Sequence, residues 1–165
     1  MIINVAIGIL VHENRFLLVK RKKGNFPNLW GLIGGKVEDG EHINEAIIRE
    51  LKEETEISVN FNKLLGVSTE MVTDNNITSS TVLYCCLVDL ENNSSVINYS
   101  SNESWFSKNE KLELKWFDLE ELNTRSDIVG SDLEFLKHFY FLKDMNYLRV
   151  DCRRKETGDY IWEIV

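Results

Sequence analysis

A mixed α/β sandwich is the fold that the sequence predicts, on three observations. Short runs rich in β-branched and aromatic residues recur along the chain, two stretches of helical character interrupt them, and 43% of the 165 residues are hydrophobic, enough for one buried core without disulfides or metals. The chain is expected to form a single domain over residues 1–165, with no internal repeat or linker.

The elements follow in order. "INVAIGILV" and "RFLLVKR" read as two strands joined by the polar turn "HEN", a hairpin. The apolar beginning of the chain, "MIINVAIGILV", has no basic leader, is interrupted by Asn4 and is too short to span a bilayer, so it is read as strand and no membrane partner is expected. The second run ends in Arg21, Lys22 and Lys23, either a solvated loop or a place to hold an anionic substrate. "LWGLIGG" reads as one short strand ending in Gly34 and Gly35, followed by the loop "KVEDGEH". From His42 to about Thr55 the residues are good helix formers without Pro or Gly. "ISVNFNKLLGVSTEMVT" and "ITSSTVLYCCLVDL" are long strands around a "DNN" turn, and "ENNSSVINYSSNESWFSKNEK" is polar and irregular. "LELKWFDL" is a short strand, "SDLEFLKHFYFLKDM" a helix, and "YLRVDCRRKETGDYIWEIV" a hairpin.

A formal net charge of −8 argues against a nucleic-acid partner, and it repels any phosphate-rich substrate unless cations intervene. Of the three cysteines, Cys85 and Cys86 are adjacent in a strand and point to opposite faces, so no disulfide framework is expected and the protein is read as reduced and cytoplasmic. His12, His42 and His138 match no zinc spacing.

The first helix carries the chemistry. At 100° per residue, Ile47, Ile48, Leu51 and Thr55 share one side, and Glu45, Arg49 and Lys52 face water. Glu50, Glu53 and Glu54 form a third stripe. Like charges at i, i+3 and i+4 destabilise a helix by roughly 0.2 to 0.5 kcal/mol per pair. A solvated acidic face is the bland reading. The preceding Gly-Gly favours the other one, because it lets backbone carbonyls approach whatever the carboxylates hold. Hard oxygen ligands of this kind suit Mg²⁺ or Mn²⁺, ions that would bring a diphosphate to an acidic surface.

The run "GKVEDGEHINEAIIRELKEETEI", residues 35–57, resembles the signature of the Nudix hydrolases: Gly35, Glu41, Arg49, Glu50, Leu51, Glu53, Glu54 and Ile57 fall in register. Glu56 departs from it, standing where the family has Gly, and Ile33 stands where the family often has Pro. The resemblance implies a Nudix-type α/β/α sandwich with a mixed β-sheet. It also implies hydrolysis of a diphosphate linkage in a nucleotide, as in MutT-like enzymes, with a nucleoside triphosphate expected and ADP-ribose or another nucleoside-diphosphate sugar as the alternative. Some ADP-ribose enzymes carry a Pro downstream of the signature, whereas the one proline here is Pro27. A non-catalytic binding or regulatory domain is the remaining alternative, although such domains tend to lose the glutamates that this chain keeps.

Carried over residue by residue, the resemblance implies that Glu50, Glu53 and Glu54 hold Mg²⁺ with the carbonyl of Gly34 or Gly35. Arg49 would orient the glutamates and Glu41 would support them. Arg21 and Lys36 are candidates for a substrate phosphate, each also readable as a surface cation. A late-loop carboxylate serves some of these enzymes as ligand or general base; Glu110 fits that place, with Glu103 and Glu113 as rivals. Phe26, Trp30, Trp105 and Phe106 are aromatic candidates for stacking on a base, each also explained by packing. Similar proteins are commonly homodimers. Glu56 is expected either to take a left-handed conformation or to let the helix run on and pair with Lys52.

Overall fold

A computed structural model describes residues 2–91, 103–107 and 112–165. Strand β1 (Ile2–His12) and strand β2 (Arg15–Arg21) meet in register Val11↔Phe16 and His12↔Arg15. Glu13 and Asn14 both have positive φ, 47° and 62°, the mirror-image turn whose twist suits a two-residue hairpin. The same solution recurs at Asn75 and Asn76, φ 48° and 63°, between β5 (Val59–Asp74) and β6 (Ile77–Leu90). Asparagine is tolerated there because its short polar side chain bonds locally.

The stretch "LWGLIGG" does not form one strand. It divides into β3 (Trp30–Gly31), which pairs with β2, and β4 (Ile33–Lys36), which pairs with β1 from Val5↔Lys36 to Gly8↔Ile33. The chain changes partner at Leu32, whose N–H leaves the ladder and donates instead to Asp132 Oδ2 at 2.7 Å. A carboxylate 100 residues away thus satisfies a donor that the change of strand partner would orphan.

β8 (Leu112–Phe117) extends the sheet beyond β2, with β7 (Trp105–Phe106) at its side. β9 (Tyr147–Arg154) runs parallel to β5, and β10 (Tyr160–Ile164) closes the predicted C-terminal hairpin at the other edge. Among the described residues the order is β10-β9-β5-β6-β1-β2-β8-β7, with β1 and β6 parallel and β5 and β6 antiparallel, a mixed sheet.

Helices cover both faces. α1 (Ile43–Thr55) buries Ala46, Ile47 and Leu51 with Ala6, Leu10, Leu17 and Cys86. The opposite face carries α3 (Gly130–Phe135), continued by a π-helical segment, Leu136–Leu142, whose Phe135, Leu136 and Phe139 pack with Ile7, Ile9, Phe16 and Cys85. Strand alternation therefore sends Cys85 and Cys86 into different cores, as their adjacency requires. Burying apolar side chains at roughly 1.5 to 3 kcal/mol each makes these two layers the main cohesive force. On α1, Ile48 is only half-buried, at the margin of the predicted apolar side. "LELKWFDL" is strand only to Phe117: Asp118 accepts the Glu121 N–H at 2.8 Å and starts the short helix α2 (Leu119–Thr124). Among the described residues no helix is long and apolar enough to cross a membrane.

Candidate active site

The loop after β4 returns the chain so that α1 lies across the glycines. His42 precedes the first turn, its backbone N–H held by the Glu45 carboxylate at 2.8 Å. Gly34 and Gly35 are required for different reasons. A Cβ on Gly34 would collide with the Ala6 carbonyl oxygen and lie 2.7 Å from Ile7 Cα, destroying the β1–β4 pairing. A Cβ on Gly35 would run into the Glu50 carboxyl group. The first glycine serves the sheet, and the second makes room for a carboxylate.

Arg49 organises the acidic stripe. Its Nε and Nη2 donate to the two oxygens of Glu41 at 2.9 and 2.8 Å, its Nη1 donates to Glu50 Oε1 at 2.7 Å, and Nη2 also reaches the Lys36 carbonyl at 3.1 Å. Glu53 Oε2 lies 3.6 Å from Nη1 and is the most exposed of the three stripe carboxylates. The Arg49 hydrogen bonds, with help from the Glu38 N–H, hold the Glu41 carboxyl down at about 2, and the two glutamates hold the guanidinium above its ordinary pKa.

Glu54 is held from the other side. Arg21 Nη2 donates to both of its oxygens, at 2.8 and 3.0 Å, and to the Gly34 carbonyl at 3.1 Å. Burial pushes the Glu54 carboxyl up, against the pull of Arg21. Two arginines, one from α1 and one from β2, thus bind Glu41, Glu50 and Glu54 through charge-assisted hydrogen bonds in a partly dehydrated place.

Glu50, Glu54, Gly34, Gly35, Arg21 and Lys36 line one cavity of about 380 Å³. Glu41 and Arg49 border a separate depression beside it. Arg21, expected to meet an anionic substrate, here ties Glu54 to the Gly34 carbonyl. Lys36 has an exposed side chain on the rim. Among the described residues, no three side chains of His, Cys, Asp or Glu converge on one point; Glu50 is taken by Arg49 and Glu54 by Arg21. Glu110 lies outside the described residues. Glu113 is taken by Lys20 at 3.2 Å and by the Ser104 hydroxyl at 2.6 Å, and neither it nor the exposed Glu103 lines the cavity. Of the four aromatic candidates Phe26 lines it; Trp30 is packed against Phe117, Trp105 against the α1-side core, and Phe106 lies under Lys22.

Three lining residues were not legible in the sequence: Glu70 of β5, and Ser131 and Asp132 of α3. In "GSDLEF" the acid at a helix start reads as an ordinary cap. A strand glutamate gives no local sign that it faces inward, beyond its even spacing from Ser68 on the buried side of β5.

A family model for the NUDIX domain matches residues 3–139. The chain is 47% identical over 60 residues to an ADP-ribose pyrophosphatase of Methanocaldococcus jannaschii, 36% of each chain. It is 34% identical over 80 residues to an 8-oxo-dGTP diphosphatase of Proteus vulgaris, 47% of this chain and 71% of that one. Four of the curated relatives it matches are covered over 36%, 44%, 36% and 51% of their own length. Its fold superimposes on that of a MutT protein from Bacillus halodurans with a TM-score of 0.68 at 22% identity, over 98% of this chain and 97% of the other.

Proposed function

The chain belongs to the NUDIX domain family, and from that premise we propose that it is a Mg²⁺-dependent pyrophosphohydrolase cleaving a diphosphate linkage in a small nucleotide, with nucleoside triphosphates as the substrate class. The observation that carries this reading is the Glu50 carboxyl lying against the missing Cβ of Gly35, with Glu54 on the same cavity, both braced by arginines.

The donor set fits the ion. Carboxylates and a glycine carbonyl are hard oxygen ligands, and Mg²⁺ is ordinarily held by one or two carboxylates together with waters and substrate phosphates, so three converging side chains are not needed. When bound, the ion supplies charge to the phosphate oxygens and lowers the pKa of an attacking water; Mn²⁺ has the same preference for oxygen. The chain's own residues do the rest. Glu50 and Glu54 offer oxygens at the cavity, and Glu53 lies in reach on the exposed side of the stripe. Arg49 holds Glu50 beside Glu41, and Arg21 holds Glu54, so the carboxylates are kept in place. Lys36, on the rim, meets the departing phosphate. Glu110 is assigned the water proton from its place in the sequence, shortly before Trp116.

A nucleoside-diphosphate sugar such as ADP-ribose is the second reading, favoured by the 47% identity to the archaeal protein of that name. We place the enzyme, a single domain, in the reduced cytoplasm, which its three free cysteines support.

The test is a panel of nucleoside triphosphates and nucleoside-diphosphate sugars with Mg²⁺ or Mn²⁺ and identification of products. Metal-dependent release of phosphate or pyrophosphate is expected, and Glu53→Gln should abolish it while the protein stays folded. Equal turnover in that variant, or no release from any compound, would sink the assignment.

A further inference from the structure

Past residues 3–139, the stretch matched by the family, the last two strands of the chain return to the cavity that takes Glu50 and Glu54. Two walls of that cavity rest on β10. The first is Phe26, in the loop between β2 and β3, whose ring meets Tyr160 edge to face at 4.9 Å and Trp162 at 5.7 Å between centroids. The second is the first turn of α3, which brings Ser131 and Asp132 to the lining; a Cβ on Gly130, where that helix starts, would lie 2.6 Å from the Trp162 ring.

Phe26 does not keep its place by backbone preference. Its φ is 53°, a left-handed conformation that a bulky residue rarely adopts and that persists only where the surroundings over-determine it. The loop closes on itself through Asn28 N–H to the Arg21 carbonyl at 2.8 Å and Leu29 N–H to the Phe26 carbonyl at 3.2 Å. Those bonds fix its backbone and not the Phe26 ring, which Tyr160 and Trp162 hold. Trp162 gains no hydrogen bond in return: its Nε1 is buried without a partner among the described residues, a net cost for the indole. Ring contact with Phe26 and close packing on Gly130 are what a tryptophan supplies there. Ile161, between the two aromatics, points to the other face of the strand and is exposed.

We infer that Tyr160 and Trp162 are positioning residues for the substrate cavity: they seat Phe26 as its wall, and neither lines the cavity itself. This rests on the cavity being the nucleotide site. Phe26 takes no part in the hydrogen bonds that hold Glu50 and Glu54. Its displacement therefore weakens bound substrate and transition state alike, which raises KM and leaves kcat in place.

The test is a double-substitution cycle on the whole chain. It is read as kcat and KM for the common nucleoside triphosphates and ADP-ribose with Mg²⁺, as calorimetric affinity for the nucleoside monophosphates, and as Tm. Trp162→Leu and Phe26→Ala should each raise KM about tenfold with kcat within about twofold, the loss expected when one aromatic contact goes, and should weaken monophosphate binding to match. Combined, they should do no more than Phe26→Ala alone, because Trp162 acts through that ring. Trp162→Phe keeps a ring there, removes the orphaned N–H and should recover most of the affinity. Ile161→Ala, in the same strand on the other face, should leave KM as it is. Should the Trp162→Leu chain fail to fold, Tyr160→Leu takes its place in the cycle with the same expectations. An unmoved KM in Trp162→Leu, multiplied effects in the double variant, or an equal rise in Ile161→Ala would overturn the inference, while turnover by the unsubstituted protein keeps the hydrolase reading. Monophosphate binding that follows the cycle without hydrolysis of any compound would support the inference and sink the hydrolase. Binding of no nucleotide would overturn both.

Discussion

Replacing Gly34 and Gly35 by alanine, one at a time, should separate stability from turnover. Neither glycine has positive φ, so the added methyl group acts through its contacts alone. At Gly34 those contacts are the Ala6 carbonyl and Ile7 Cα, backbone atoms of a strand paired on both sides. Backbone cannot yield cheaply, and overpacking of this kind costs about 1 to 3 kcal/mol. For a chain of this size that is a fall in Tm of roughly 2 to 4 °C per kcal/mol. At Gly35 the obstacle is the end of a flexible side chain, which can swing away. Losing the partly exposed Arg49–Glu50 bond costs at most about 1 kcal/mol, and the stiffer unfolded chain returns about 0.4 to 1 kcal/mol. Stability should therefore change little. The displaced Glu50 carboxylate, however, no longer faces the cavity, and a displacement of about 1 Å at a reacting centre can cost about 100-fold in rate. Thermal denaturation and Mg²⁺-dependent hydrolysis measured on both variants decide the matter. Unchanged turnover in Gly35→Ala, or the same loss of Tm in both, would refute the division of roles.

Two further outcomes concern the ends of α1. Glu41 titrates at about 2 in the folded protein against an ordinary 4.5, so its contribution is fully present above pH 4.5 and disappears as pH falls towards 2. Denaturant titrations across that window should show stability falling with acidification, with a shallower slope in Glu41→Gln; identical slopes would detach Glu41 from the effect. Glu56 ends α1 with φ 63°, its carbonyl held by Lys52 Nζ at 3.1 Å. Glu56→Gly should remove about 1 kcal/mol of left-handed strain and leave turnover unchanged; a large loss of turnover would place that residue at the site after all.

Local spacing made part of this protein readable in advance. A 3.6-residue period puts Glu50, Glu53 and Glu54 on one stripe, and the two-residue period of a strand sends Cys85 and Cys86 to opposite faces. The paired turn residues Glu13–Asn14 and Asn75–Asn76 announced two hairpins. The left-handed end of α1 was one of two outcomes foreseen for Glu56, and the structure selects it because the Glu56 N–H closes on the Lys52 carbonyl while the chain turns away to bury Ile57.

What the sequence determined by itself was therefore which residues share a face of each element, because bond geometry sets those periods within a few residues. Which faces meet was decided only by the tertiary structure. Arg21 finds Glu54 across 33 residues and Leu32 finds Asp132 across 100. The run "LWGLIGG" divides because two different strands compete for it, and Glu70 faces inward because β5 is enclosed by β6 and β9 beneath α3. Such pairings follow from the order of strands and the burial of apolar layers, which sum contributions from the whole chain and leave no mark at any one position.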